Sequence, residues 1–210
     1  PLRSAIAHLD RSSSRAGARD HFGIPADAKV LLVFGGSQGA AHFNAVIAES
    51  LTDLTKNGIW ILHAFGSRNE TPKAQPGYIP VPYIDRMDLA YAAADLAVTR
   101  AGAMTCAELS AVGLPAIYVP LPIGNGEQRL NALPIVEAGG GLIVDDAEFT
   151  SEWLMNATDH LLHDNDELEV MGAAAAGLGI RDADQRLAEF VIAAAQKNSK
   201  KSATGSGDRS

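Results

Sequence analysis

The sequence predicts an α/β protein built on a doubly wound parallel sheet, and two observations carry that prediction. Short apolar runs at 30–34, 59–65, 96–99 and 115–119 alternate with stretches of helical period, joined by brief Gly- and Pro-bearing links. Runs buried on both faces and separated by helices belong to a sheet covered from both sides. The first run also empties into Gly35-Gly36-Ser37-Gln38-Gly39, which opens a helix. Glycines let backbone approach a ligand closely, and a helix N-terminus offers unpaired N–H groups and a favourable dipole to an anion. The stretch lacks the Lys-Ser/Thr pair of a Walker loop and the GxGxxG spacing of dinucleotide folds. A tight turn without ligand is the alternative.

The elements follow in order. Residues 1–28 read as a lead-in segment with helices over 5–10 and 16–22, ending at Gly23-Ile24-Pro25. Pro1 is not an initiator Met, so more chain is expected upstream. The nucleotide-binding unit is expected over 29–196. A strand at 30–34 leads to a helix over 40–56, whose Phe43, Val46, Ile47, Leu51 and Leu54 recur at helical spacing. A strand at 59–65 and a polar loop at 66–77 follow. Pro80 and Pro82 confine the extended run 78–83 to a sheet edge or to strand ends. Asp85 or Asp88 caps the helix carrying Leu89, Tyr91 and Ala92, and Asp95 introduces the strand at 96–99. A helix over 103–112 stops at Gly113, and a strand at 115–119 leads through a loop at 120–126 to a helix over 127–138. After Gly139-Gly140-Gly141 comes a strand at 142–144. The rest is helical, over 150–162, 166–177 and 182–196, and the tail 197–210, lacking apolar positions, is expected to be disordered.

Composition narrows the function classes. The 47% apolar content supplies a core for 210 residues, and a formal charge of −8 argues against general nucleic-acid affinity. Cys106 is the single cysteine, so no disulfide framework or thiolate metal cluster exists; it reads as a small buried hydrophobe. The six histidines form no HExxH or other compact set, and no metal is expected. No apolar stretch approaches eighteen residues without a charge or breaker.

In an open parallel sheet, ligands bind outside the carboxyl ends of the strands. Three segments arrive there: the loop Gly35 to Gly39, the run RAGAMTCAE from Arg100 to Glu108, and GNGEQRLN from Gly124 to Asn131. Small Ala101, Gly102 and Ala103 bring a second helix N-terminus to the crevice, so two dipoles converge on a diphosphate. Glu108 shares a helical face with Met104 and Thr105, where a carboxylate suits a vicinal diol such as a ribose; a solvated acid is the alternative. Gln128 and Asn131 are three apart and can turn their amides to sugar hydroxyls. Backbone groups around Ile84 suit a base edge with Met87 packed on it, although Met equally fills gaps in cores. No general base stands out; His42 and His63 have no carboxylate spaced to orient them, and Ser37 lacks a GxSxG elbow. A ligand apparatus without a catalytic one suggests half of a two-domain enzyme.

Taken together, VFGGSQGA, PYIDRM, RAGAMTCAE, GLPAIYVPLP and NGEQRLNALP resemble the C-terminal nucleotide-sugar-binding domain of the bacterial peptidoglycan N-acetylglucosaminyltransferases, the MurG family, in an actinobacterial form. The resemblance covers residues 1 to about 196 and implies a Rossmann-like half of a GT-B glycosyltransferase. It implies an inverting transfer of GlcNAc from UDP-GlcNAc to a lipid-linked muramyl-pentapeptide acceptor, without cofactor or metal, at the cytoplasmic face of the membrane. It places Gly35, Gly36 and Gly39 on phosphate, Ser37 and Gln38 on diphosphate or sugar, Ile84 and Met87 at uracil, and Met104 and Thr105 beside nucleotide and phosphates. Glu108 would hold the ribose, Gln128 and Asn131 the GlcNAc hydroxyls, and Arg3 a phosphate. Two positions depart from relatives: Glu127 stands where many have Gln, and Ala101 where some have Ser. The acceptor-binding N-terminal domain and the catalytic base lie outside the sequence, so the fragment is expected to bind donor without turnover. The alternatives are another GT-B-type UDP-sugar enzyme, such as a UDP-GlcNAc 2-epimerase, or a non-catalytic module that binds nucleotide sugars or docks cell-wall and division proteins.

Overall fold

The computed structural model describes residues 2–35, 40–122 and 125–204. Strands β1 (Lys29–Phe34), β2 (Ile59–Ala64), β3 (Tyr78–Val81), β4 (Leu96–Thr99), β5 (Ala116–Tyr118) and β6 (Gly141–Ile143) form one sheet in the order β3-β2-β1-β4-β5-β6, every pair parallel. Proline cannot donate to a ladder, and the strand containing Pro80 is indeed at the edge.

Side chains along each strand alternate between two cores. Val30 and Leu32 of β1, Ala97 of β4 and Tyr118 of β5 join one, with Ile6 of α1 (Ser4–Ala7), Ala18 of α2 (Arg11–Phe22), Tyr91 of α4 (Met87–Ala93), Leu109 of α5 (Ala103–Val112) and Ile135 of α6 (Glu127–Glu137). Leu31 and Val33, Val98 and Ile117 join the other, under Phe43 and Ile47 of α3 (Ala40–Lys56) and Leu154 and Leu161 of α7 (Ser151–His163). The α8 helix (Asn165–Gly177) gives Ala175 to the first core and Met171 to the second. Its approach requires Gly140, where a Cβ would lie 2.8 Å from the Ala175 backbone.

Helix α3, which follows β1, lies on one face, whereas α5, which follows β4, lies on the other. Because β1 and β4 are parallel neighbours, Phe34 beside Thr99, the order in which strands are added to the sheet reverses between them. That is the switch point at which such sheets open a crevice.

The lead-in segment is bound into the domain. Helix α2 begins earlier than its apolar pattern suggests, because Asp10 caps it by accepting from the Ser12 and Ser13 N–H groups at 3.0 and 3.4 Å. The Arg and Ser residues of its first turn carry no hydrophobic period. Arg11 donates to the carbonyls of Tyr91, Ala94 and Gly113 at 3.0, 2.7 and 2.6 Å. Arg15 and the buried Arg19 pair with Asp95, which also accepts the Val30 N–H at 2.8 Å. Asp95 therefore ties α2 to the start of β1 as well as introducing β4.

The tail departs from expectation. Helix α9 runs Ala183–Thr204, so residues 197–204, expected to be disordered, are helical. A lack of apolar positions does not exclude a helix, and Lys and Ala are good helix formers. Residues 205–210 lie outside the described residues. Among the described residues, no helix is long and apolar enough to cross a membrane.

Candidate functional site

A cleft of about 540 Å³ opens at the carboxyl end of the sheet, between the ends of β1 and β2, the β3–α4 turn and the first turns of α5. Its walls include Phe34, Ala64, Ile84, Met87, Tyr91, Met104, Thr105, Glu108 and Arg3. Six of the residues predicted from sequence thus meet in one space: Arg3, Ile84, Met87, Met104, Thr105 and Glu108. Gly35 is buried at the end of β1, while Gly36, Ser37, Gln38 and Gly39 lie outside the described residues, as does Gly124.

The α5 N-terminus supplies the polar floor. Gly102 is its N-cap without a side-chain cap, and the first backbone bond closes from Cys106 N to Gly102 O at 2.9 Å. The N–H groups of residues 103 to 105 are therefore those a helix leaves unpaired, at the site where an anion is favoured. Across the cleft Ile84 is buried, yet among the described residues nothing hydrogen-bonds its backbone N–H or C=O.

Glu108 is the most elaborately held group. Arg3 donates to Oε1 through Nε and Nη2 at 3.2 and 3.1 Å, and Nη2 also reaches Oε2 at 3.3 Å. The Tyr91 hydroxyl donates to Oε2 at 2.9 Å. Arg3, expected on a phosphate, rests on the carboxylate. Burial and the Glu108 charge both push the Tyr91 phenol upward, so it remains a donor. Tyr91 was legible only as an apolar helix position; nothing in its spacing marks the hydroxyl.

Gln128 and Asn131 do not line this cleft; Asn131 faces a separate hollow beside Leu2, Ala103 and Met104, and the two amides bracket a single residue. Gln128 Oε1 accepts from the Ala101 and Leu121 N–H groups at 3.2 and 3.0 Å, while Asn131 Nδ2 donates to the Ala101 carbonyl at 3.1 Å. This explains why a polar side chain sits half-buried at 131. Among the described residues the Gln128 NH2 and the Asn131 oxygen have no hydrogen-bond partner. The pair fixes the turn that aims α5 into the cleft.

A second polar cluster escaped the sequence reading. Arg100, buried immediately after β4, donates to the Val119 carbonyl at 3.1 Å and pairs with Asp146, while its guanidinium lies 4.5 Å from the Phe43 ring centre. His42 on the first turn of α3 lies 3.2 Å from Asp146. Burial raises the Asp146 carboxyl, but hydrogen bonds and charge from Arg100 and His42 outweigh it and hold the group below the ordinary value. The cluster joins the ends of β4, β5 and β6 to the start of α3. Its signal was an Arg at the strand exit, included in a motif but given no role.

The remaining candidates resolve as core. His63 is buried, with Nδ1 3.1 Å from the Tyr78 hydroxyl, and burial pulls it down to about 4. Burial likewise pushes the Cys106 thiol up to about 12, which leaves no thiolate at neutral pH.

The six-stranded parallel sheet with its switch-point crevice is Rossmann-like, and its likeness to the solved structure of a MurG makes it one half of a GT-B fold. The chain belongs to the glycosyltransferase family 28 C-terminal domain, whose family model matches residues 30–187. It is 56% identical over 202 residues to the UDP-N-acetylglucosamine--N-acetylmuramyl-(pentapeptide) pyrophosphoryl-undecaprenol N-acetylglucosamine transferase of Mycolicibacterium vanbaalenii, covering 94% of this chain and 50% of that protein. The Mycobacterium tuberculosis transferase of the same name is 56% identical over 200 residues, covering 93% of this chain and 49% of its own. The crystal structure of Acinetobacter baumannii MurG superposes with a TM-score of 0.73 at 26% identity, over 89% of this chain and 54% of that one. The chain thus spans about half the length of the curated relatives it matches.

Proposed function

We propose that this chain is the donor-binding half of an inverting N-acetylglucosaminyltransferase that passes GlcNAc from UDP-GlcNAc to a lipid-linked muramyl-pentapeptide diphosphate at the cytoplasmic face of the membrane. The observation that carries the reading is the convergence of Glu108, the unpaired Ile84 backbone and the open α5 N-terminus on one cleft. Those groups match, in order, the ribose diol, the uracil edge and the diphosphate of a nucleotide sugar. The names of the mycobacterial relatives support the acceptor and the sugar.

Arg3, Ile84, Met87, Met104, Thr105 and Glu108 hold the nucleotide, and Gln128 and Asn131 offer their remaining amide ends to the sugar. The motif Gly35, Gly36, Ser37, Gln38 and Gly39 is assigned to the diphosphate on its sequence. Inversion needs direct attack by an acceptor hydroxyl with a base to take its proton. The reading assigns that base to an acceptor-binding portion outside these residues. Cell-wall or division proteins are further partners of that assembly.

Incubating the chain with UDP-GlcNAc, with and without the lipid-linked acceptor, tests the assignment. We expect no transfer, and no epimerised sugar in either mixture. Epimerisation at C2 without acceptor would assign the fold to a different UDP-sugar enzyme, and transfer by the 210 residues alone would place the base within them.

A further inference from the structure

An ionised carboxylate offers about four lone-pair positions. In Glu108 they are taken by Arg3 Nε and Nη2 on Oε1, and by Nη2 and the Tyr91 hydroxyl on Oε2. A ribose brings two further O–H donors and finds no acceptor left. The two partners are not equally fixed. Tyr91 is 1% exposed, and its backbone carbonyl is gripped by Arg11 at 3.0 Å. The Arg3 side chain is 52% exposed, and the α1 helix holds only its backbone, through the Ile6 and Ala7 N–H groups.

We propose that Tyr91 is the permanent positioning residue of Glu108 and that Arg3 is its exchangeable partner, displaced from the carboxylate by the ribose diol when a nucleotide binds. The inference rests on the nucleotide reading of the cleft. Departure of Arg3 frees both positions on Oε1 and one on Oε2, enough for the two hydroxyls, while Tyr91 keeps the carboxylate plane fixed. The released guanidinium stays at the mouth of a cleft that now holds phosphate charge. A nucleoside must therefore displace Arg3 with nothing in return, whereas a nucleoside diphosphate regains the charge contact. Arg3 selects for the diphosphate by opposing everything else that fits Glu108.

The test is titration of the wild-type chain, Arg3→Ala and Tyr91→Phe with uridine, UDP and 2′-deoxy-UDP, followed by NMR, with thermal melts to confirm folding. Removing a half-exposed pair should tighten uridine about two- to fivefold in Arg3→Ala, while UDP weakens. Tyr91→Phe should weaken UDP and narrow its advantage over 2′-deoxy-UDP. An Arg3→Ala variant that loses uridine and UDP alike, or changes neither, overturns the exchange, and an unchanged ribose preference in a folded Tyr91→Phe overturns the positioning role. A wild-type chain that binds none of the three ligands overturns the nucleotide reading itself, and the exchange with it.

Discussion

Glu108 is where the sequence motif and the geometry agree most closely. Its spacing from Met104 and Thr105 places it on the cleft face of α5, and the fold adds what spacing does not carry, namely its two partners. Replacing it by Gln keeps the shape but removes the charge that strengthens hydrogen bonds to the diol, so UDP affinity should fall about 10- to 100-fold by calorimetry. The Gln128 and Asn131 amides were also legible as a pair, but their attachment to the Ala101 peptide was not, because it depends on two segments meeting through the fold. His63 illustrates the opposite case: a strand position says nothing about which face is closed. Its folded value near 4 lies below the ordinary 6.5, so the neutral form is favoured by folding. The stability from this group is full above pH 6.5 and is lost as pH falls toward 4, by up to about 3 kcal/mol. Chemical denaturation across that window should show the loss in the wild type, and His63→Leu should lack that slope.

At the scale of elements, the strands and their exits were readable because apolar runs and glycines signal locally. The order of the sheet follows once β1 and β4 are recognised as neighbours leading to helices on opposite faces. The ends of α2 and α9 were not readable, since a cap and polar helix formers leave no hydrophobic period. The attachment of α2 was equally hidden: three arginines in a Ser-rich run resemble a solvated face, yet two of them converge on Asp95. Asp95→Ala leaves the buried Arg19 uncompensated and the Val30 N–H without its acceptor. The expected cost is about 3–5 kcal/mol, seen as a lower denaturation midpoint with unchanged slope. A surface role for α2 predicts a change below about 0.5 kcal/mol.

For the whole molecule, the lead-in segment belongs to the folding unit although the matched family region starts at residue 30. Deleting residues 1–28 uncovers the α4 alanines packed beneath α2 and removes Arg3 from the cleft. We expect that deletion to lose cooperative melting, and a truncated chain that melts as the wild type does would contradict this. On the proposed reading the chain holds the donor cleft, and the relatives it matches are about twice its length. The most direct measurement is calorimetric titration of the folded chain with UDP-GlcNAc, UDP-glucose and ADP-glucose under identical conditions. Saturable binding that ranks UDP-GlcNAc first and ADP-glucose last is the predicted result; a folded chain that binds none of them, or all three alike, would contradict the assignment of the cleft.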